Sequence, residues 1–207
     1  MKKRLAIGMS GASGACLAVK LLEAMQLQKN WETHLVISRG ARRTIEHELN
    51  LTVDHVKSLA TRAYPLSDIG ANLASGTFKV EGMVIVPCSM KTVAGVAQGY
   101  SDNLLLRAAD VNIKERRKLI MVARETPLSP IHLRNMSELV SMGVTIMPPM
   151  LTYYNMPQTL DDMNTHIVGK IMSEFGIELP KFKRWENNGS KNAEDGELIR
   201  INSAKVR

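Results

Sequence analysis

Aromatic residues are scarce in this chain: Phe, Trp and Tyr together make up 4% of 207 residues. A protein that holds single-stranded nucleic acid by stacking bases needs more platforms than that. The formal net charge of +7 is therefore no argument for a nucleic-acid partner. Seven Lys/Arg and four Asp/Glu fall within residues 181–207, which leaves +4 spread over the first 180 residues. A basic domain that holds small anions explains that balance. Cysteine is scarcer still. Cys16 and Cys88 form no C-x-x-C pair and no metal-ligand spacing, which excludes a disulfide framework. They fit a reducing, cytoplasmic compartment, with both thiols buried as small apolar groups. No apolar run approaches the roughly 20 residues that span a bilayer, so no membrane partner is expected. Lys2, Lys3 and Arg4 precede small and apolar residues as in a secretion signal, but Gly8, Ser10, Gly11, Ser13 and Gly14 break the apolar core a signal requires. The five histidines, His34, His47, His55, His132 and His166, have no ligand spacing such as H-E-x-x-H, and no metal is expected.

What the chain does have is alternation. Short apolar runs near residues 4–9, 34–37, 82–86, 119–123 and 144–147 read as strands buried on both faces. Helical patterns lie between them, near 14–27, 41–49, 54–60, 91–98, 104–114, 131–142 and 160–175. Strands alternating with helices predict an α/β fold, a three-layer α/β/α sandwich with a mainly parallel sheet. With 44% hydrophobic and 23% charged residues, the chain has the composition of one globular domain, over 1–186. The composition turns polar from about residue 183, and 187–207 reads as a polar C-terminal extension.

In such folds the ligand sits outside the carboxyl ends of the strands. The runs that matter are therefore 10–14, 38–40, 87–92, 124–129 and 148–157. In "GMSGASGAC", Gly8, Gly11 and Gly14 stand three apart, so neither G-x-G-x-x-G nor G-x-S-x-G is present. No acidic residue closes the second strand; Ser38 stands there. Two readings remain, a glycine-lined anion site at a helix start and a tight turn with Ser13 as a helix cap. "PCSMKTVAGVAQG" adds a second hydroxyl-rich helix start, with Ser89 and Thr92 followed by small residues. In "VARETPLS", Arg124 and Glu125 lie just beyond a buried strand, as functional charges or as a structural ion pair. Arg107, Asp110 and Lys114 share one helix face, and "PPMLTYYNMP" is a Pro-braced loop with paired tyrosines.

Taken in chain order, "GMSGAS", "VISRGA", "VPCSMKTVAGVAQG", "NLLLRAADVNIKERRKLIMVARETPLS" and "MPPMLTYYNMP" strongly resemble the flavin prenyltransferase family, the UbiX-type proteins, over roughly residues 3–186. The resemblance implies a Rossmann-like flavoprotein that joins a dimethylallyl group from dimethylallyl phosphate to N5 and C6 of reduced FMN. It also implies a homododecamer whose prenylated product serves a separate UbiD-type aromatic acid decarboxylase. Carried over residue by residue, it assigns Gly11, Ala12, Ser13, Ser38, Ser89, Met90, Lys91, Thr92 and Arg124 to FMN. Tyr154, Lys170, Arg107 and Lys114 match positions for the donor phosphate, one or both of the last two reaching across a subunit interface. Glu125, Ser13 and Lys114 are the catalytic candidates, with Glu125 as the base. Many relatives carry Arg at the Lys170 position, and Lys keeps the charge without the bidentate fork. The sequence has no Asp-rich cluster of the kind that holds Mg²⁺ on a diphosphate donor. Two other readings share the fold: an FMN-dependent decarboxylase of the peptidyl-cysteine type, and a non-catalytic flavin carrier.

Overall fold

A computed structural model describes residues 2–185; the extension expected at 187–207 lies outside the described residues. Six strands form one sheet: β1 (Lys3–Met9), β2 (Trp31–Ile37), β3 (Arg62–Tyr64), β4 (Gly82–Cys88), β5 (Lys118–Ala123) and β6 (Thr145–Ile146). Their order is β3-β2-β1-β4-β5-β6 and every pairing is parallel. The order reverses between β1 and β4, so the two central strands flank the switch point at which α/β sheets of this order take their ligands. Compared with the sequence reading, β2 begins three residues earlier, at Trp31, and β3 is an additional short strand. Arg62 is exposed and only Tyr64 is buried there, so the edge strand lacks the apolar run that marks the others.

Among the described residues seven helices cover the sheet: α1 (Ala15–Gln26), α2 (Arg39–Glu48), α3 (Val53–Ser58), α4 (Met90–Ala97), α5 (Leu104–Lys114), α6 (Pro130–Ser141) and α7 (Leu160–Ser173). One core joins α1, α2, α3 and α7 to one sheet face through residues such as Leu21, Leu22, Ile45 and Ile171. The other joins α4, α5 and α6 to the opposite face through Val93, Leu104, Leu105 and Leu139. The sandwich thus has its three layers. Short polar side chains set most helix starts: Ser38, Thr52, Ser89 and Asn103 each accept a backbone N–H of the first turn. Ser129 and Thr159 form reciprocal caps with His132 and Asp162. Cys88 is buried, which pushes its thiol far up, whereas Cys16 is only half-buried, contrary to the expectation that both thiols are enclosed. No helix among the described residues is long and apolar enough to cross a membrane.

Candidate active site

The turns after β1, β2 and β4 are joined to one another. Ser10, buried at 1% exposure, accepts a hydrogen bond from the Ser89 N–H at 2.7 Å and donates its hydroxyl to the Pro87 carbonyl at 3.2 Å. The Ser10 N–H donates to the same carbonyl at 3.1 Å, and the Ser38 N–H donates to the Met9 carbonyl at 2.9 Å. Gly11 lies against Gly40 so closely that a Cβ on Gly11 would stand 2.9 Å from the Gly40 Cα. Only bare α-carbons permit that approach. The Arg124 N–H donates to the Cys88 carbonyl at 3.0 Å, which attaches the turn after β5 to the same platform.

At the start of α1 the cap is Gly14 in the left-handed region (φ 109°), with no side-chain cap, so Ser13 does not cap this helix. Glu48, at the last residue of α2, takes that place: its Oε2 accepts from the Gly14 N–H at 2.9 Å and the Ala15 N–H at 3.0 Å. Burial alone would push the Glu48 carboxyl up. The Ser13 hydroxyl beside it, the two N–H groups and the Arg124 guanidinium outweigh that and hold it below the ordinary carboxylate range. Sequence reasoning missed Glu48. A signal was present, because a carboxylate in the last turn of a helix opposes the helix dipole unless it serves something else, and α1 begins without a capping side chain.

At the start of α4, the Ser89 Oγ accepts the Thr92 N–H at 3.4 Å and lies 3.2 Å from the Thr92 hydroxyl. Met90 and Thr92 are buried, and Lys91 is exposed. The small residues that follow serve packing: a Cβ on Gly95 would stand 3.0 Å from Leu106 of α5, so they admit a neighbouring helix. Arg124 is half-buried and its Nε is a buried donor with no partner among the described residues. Glu125 is exposed, and its Oε1 accepts from the Thr126 N–H at 3.0 Å. The structural Arg124–Glu125 ion pair allowed by the sequence is not formed among the described residues.

No hydrogen bond or ion pair joins Arg107 or Lys114 to Tyr154 or Lys170 among the described residues. Arg107 pairs with Asp110 at 2.7 Å, Lys114 with Glu115 at 2.5 Å and Lys170 with Glu174 at 2.8 Å. Arg107 and Lys114 are two turns apart on α5, about 10 Å along its axis. Lys114 ends α5 just before β5 begins, beside the Gly76 segment that leads into β4. It therefore lies at the amino ends of the strands, opposite the platform. Glu174, which holds Lys170, also pairs with Lys118 at the start of β5, so Lys170 too is drawn toward that end. Tyr154 is exposed on the loop between β6 and α7, its hydroxyl 3.1 Å from the His166 Nε2.

With this geometry in hand, the likenesses to known proteins are specific. Residues 1–174 match the Flavoprotein family. A probable UbiX-like flavin prenyltransferase from Streptomyces sp. (strain D7) is 53% identical over 182 residues, covering 88% of this chain and 91% of the relative. The crystal structure of a dodecameric FMN-dependent UbiX-like decarboxylase from Escherichia coli O157:H7 is 48% identical with a TM-score of 0.87, covering 88% of this chain and 99% of that one. AnUbiX (PadA1), solved in complex with FMN and dimethylallyl pyrophosphate, is 42% identical with a TM-score of 0.88, covering 90% and 98%. The parallel sheet with its β1/β4 switch point, the joined turns upon it and these identities agree: the chain belongs to the UbiX-like flavin prenyltransferases of the Flavoprotein family.

Proposed function

We propose that this chain is a metal-independent flavin prenyltransferase, which moves the dimethylallyl group of dimethylallyl phosphate onto N5 and C6 of reduced FMN. The observation that carries the reading is the joined platform at the switch point, with the buried Nε of Arg124 beside it, partnerless among the described residues. Reduced FMN supplies the nucleophilic nitrogen and carbon. The platform suits that molecule: Ser13, Ser38, Ser89 and Thr92 offer hydroxyls, while Gly11, Ala12 and Met90 offer backbone at helix starts. Lys91 adds positive charge, and Arg124 brings a donor whose burial without a partner is costly until a ligand meets it.

Tyr154, Lys170, Arg107 and Lys114 hold the donor phosphate and stabilise its charge as the allylic C–O bond breaks. Glu125 takes the proton released on ring closure. Lys114 is too far from its own platform to do this, which supports a homo-oligomer in which one protomer completes its neighbour's site, a dodecamer on this reading. Membership of the family favours this chemistry over decarboxylation of a peptidyl cysteine and over a flavin carrier. The prenylated flavin then serves a UbiD-type decarboxylase in the cytoplasm, a location in keeping with two unpaired thiols.

The test is mass spectrometry of the flavin after anaerobic incubation with reduced FMN and dimethylallyl phosphate, with the diphosphate as comparison donor. A flavin heavier by one five-carbon unit is expected, and an unchanged flavin overturns the reading. Lys170→Ala should keep FMN and slow transfer by about a hundredfold, the effect of removing one preorganised charge donor. Glu125→Gln should also keep FMN and leave the ring unclosed. Loss of FMN in either variant, or transfer at the parent rate, makes that assignment wrong.

A further inference from the structure

His166 stands out because nothing in the assigned chemistry uses it. It lies on α7 with 8% of its surface exposed, and its Nε2 is 3.1 Å from the hydroxyl of Tyr154. Tyr154 sits on an irregular loop and is 46% exposed. Two rings set its position, His166 edge-on at 5.4 Å and Trp185 edge-on at 5.5 Å. His166 is fixed in turn by Phe182, at 5.2 Å between ring centres, and Phe182 fits because Gly169 below it has no Cβ.

The proton on the imidazole can be placed by what surrounds it. The His166 Nδ1 is buried and has no partner among the described residues. A proton on Nδ1 would bury an unpaired donor, whereas a proton on Nε2 leaves only an unpaired lone pair, the cheaper arrangement. Burial also pushes the His166 pKa down, so the ring is neutral at neutral pH. The Nε2–H then donates to the tyrosine oxygen. That leaves the phenolic proton without a partner among the described residues and free to point outward.

We propose that His166 is a positioning residue for the leaving phosphate: its Nε2–H donates to the Tyr154 oxygen, so that the Tyr154 hydroxyl is held as a hydrogen-bond donor to the phosphate of the allylic substrate. This rests on the reading of Tyr154 as a phosphate ligand. The donated hydrogen bond does two things. It fixes a side chain that the loop alone does not fix, and it polarises the phenol so that its own O–H is a stronger donor as negative charge develops.

The test compares the parent oligomer with His166→Phe, His166→Gln, Tyr154→Phe and the Tyr154→Phe/His166→Phe pair. Phenylalanine keeps the ring without nitrogen, and the glutamine amide restores an N–H near the Nε2 position. Single-turnover prenyl transfer with reduced FMN should slow by about tenfold in His166→Phe and recover most of that loss in His166→Gln. In the Tyr154→Phe background, the His166→Phe change should have no further effect. FMN affinity should stay at the parent value throughout. Full additivity of the two changes, a His166→Gln protein as slow as His166→Phe, or parent rate in His166→Phe overturns the proposal. A second arm needs no flavin: calorimetric titration of flavin-free protein with dimethylallyl phosphate should show binding weakened several-fold in His166→Phe and restored in His166→Gln. A parent protein that binds the donor yet makes no prenylated flavin overturns the functional reading, and His166 is then decided by the titration. Equal donor binding by parent and His166→Phe counts against it, and no donor binding by the parent overturns both.

Discussion

On the side of the rim assigned to FMN, the turns after β1, β2 and β4 hold one another through backbone and hydroxyl hydrogen bonds. The cations assigned to the donor phosphate are instead each tied to an acid of their own neighbourhood: Arg107 to Asp110, Lys114 to Glu115 and Lys170 to Glu174. The first is a set of turns held to one another within one chain. The second is a set of half-buried to exposed ion pairs, each worth little and so readily exchanged for a better anion. On the proposed reading the contrast separates two tasks, cofactor binding by the protomer and transfer by the assembly.

The sharpest way to break this contrast is at the glycine contact. Gly11→Ala should abolish FMN retention, because its Cβ would meet the Gly40 backbone at 2.9 Å and force the two turns apart. Absorbance of the purified protein reads this directly, and an alanine variant that purifies with a full complement of flavin would show the platform is not rigid.

The other half is tested by mixing. Lys114→Ala and Arg124→Ala should each be nearly inactive alone. Co-expressed, they should recover a substantial fraction of parent transfer, because a neighbour can supply the missing Lys114 to a site with an intact Arg124. No recovery in mixed oligomers would mean that Lys114 acts within its own chain.

Smaller effects follow from the stitches. Ser10→Ala removes the acceptor of the Ser89 N–H and should lower stability by about 1–3 kcal/mol, with FMN affinity falling in parallel; denaturant unfolding of both proteins measures it. Smallest is the Glu48 contribution. Its carboxyl is held below its ordinary range in the folded chain, so the stability it adds is present above that range and is lost as pH falls through the folded value. The difference in melting temperature between the parent and Glu48→Gln should therefore shrink from about pH 7 to about pH 3. A constant difference would mean the carboxylate charge is irrelevant there.

Much of this fold is legible in the sequence itself. β1, β4 and β5 are apolar on both faces because helices cover both, and Ser89 announces a helix start by its chemistry. β3 was not legible, since a three-residue edge strand led by an exposed Arg62 has no run to read. The amino end of β2 was hidden by the partly polar Trp31–Glu32–Thr33 stretch. In the site, Ser10, Gly11, Ser89 and Arg124 lie in turns that the switch-point rule selects. Glu48 acts on a helix start 34 residues before it, a distance no local pattern spans. His166 looked like any lone histidine, because its partner sits on a loop whose path the sequence does not specify.

One consequence of the all-parallel sheet lies in time rather than structure. Helices α1, α2, α4 and α6 all set out from the carboxyl edge, so four backbone dipoles turn their positive ends toward the same rim, each equivalent to roughly half a charge. No side-chain substitution removes that field. Phosphate-bearing molecules are drawn to the rim before they touch any residue on it, and their rate of arrival should fall as ionic strength rises.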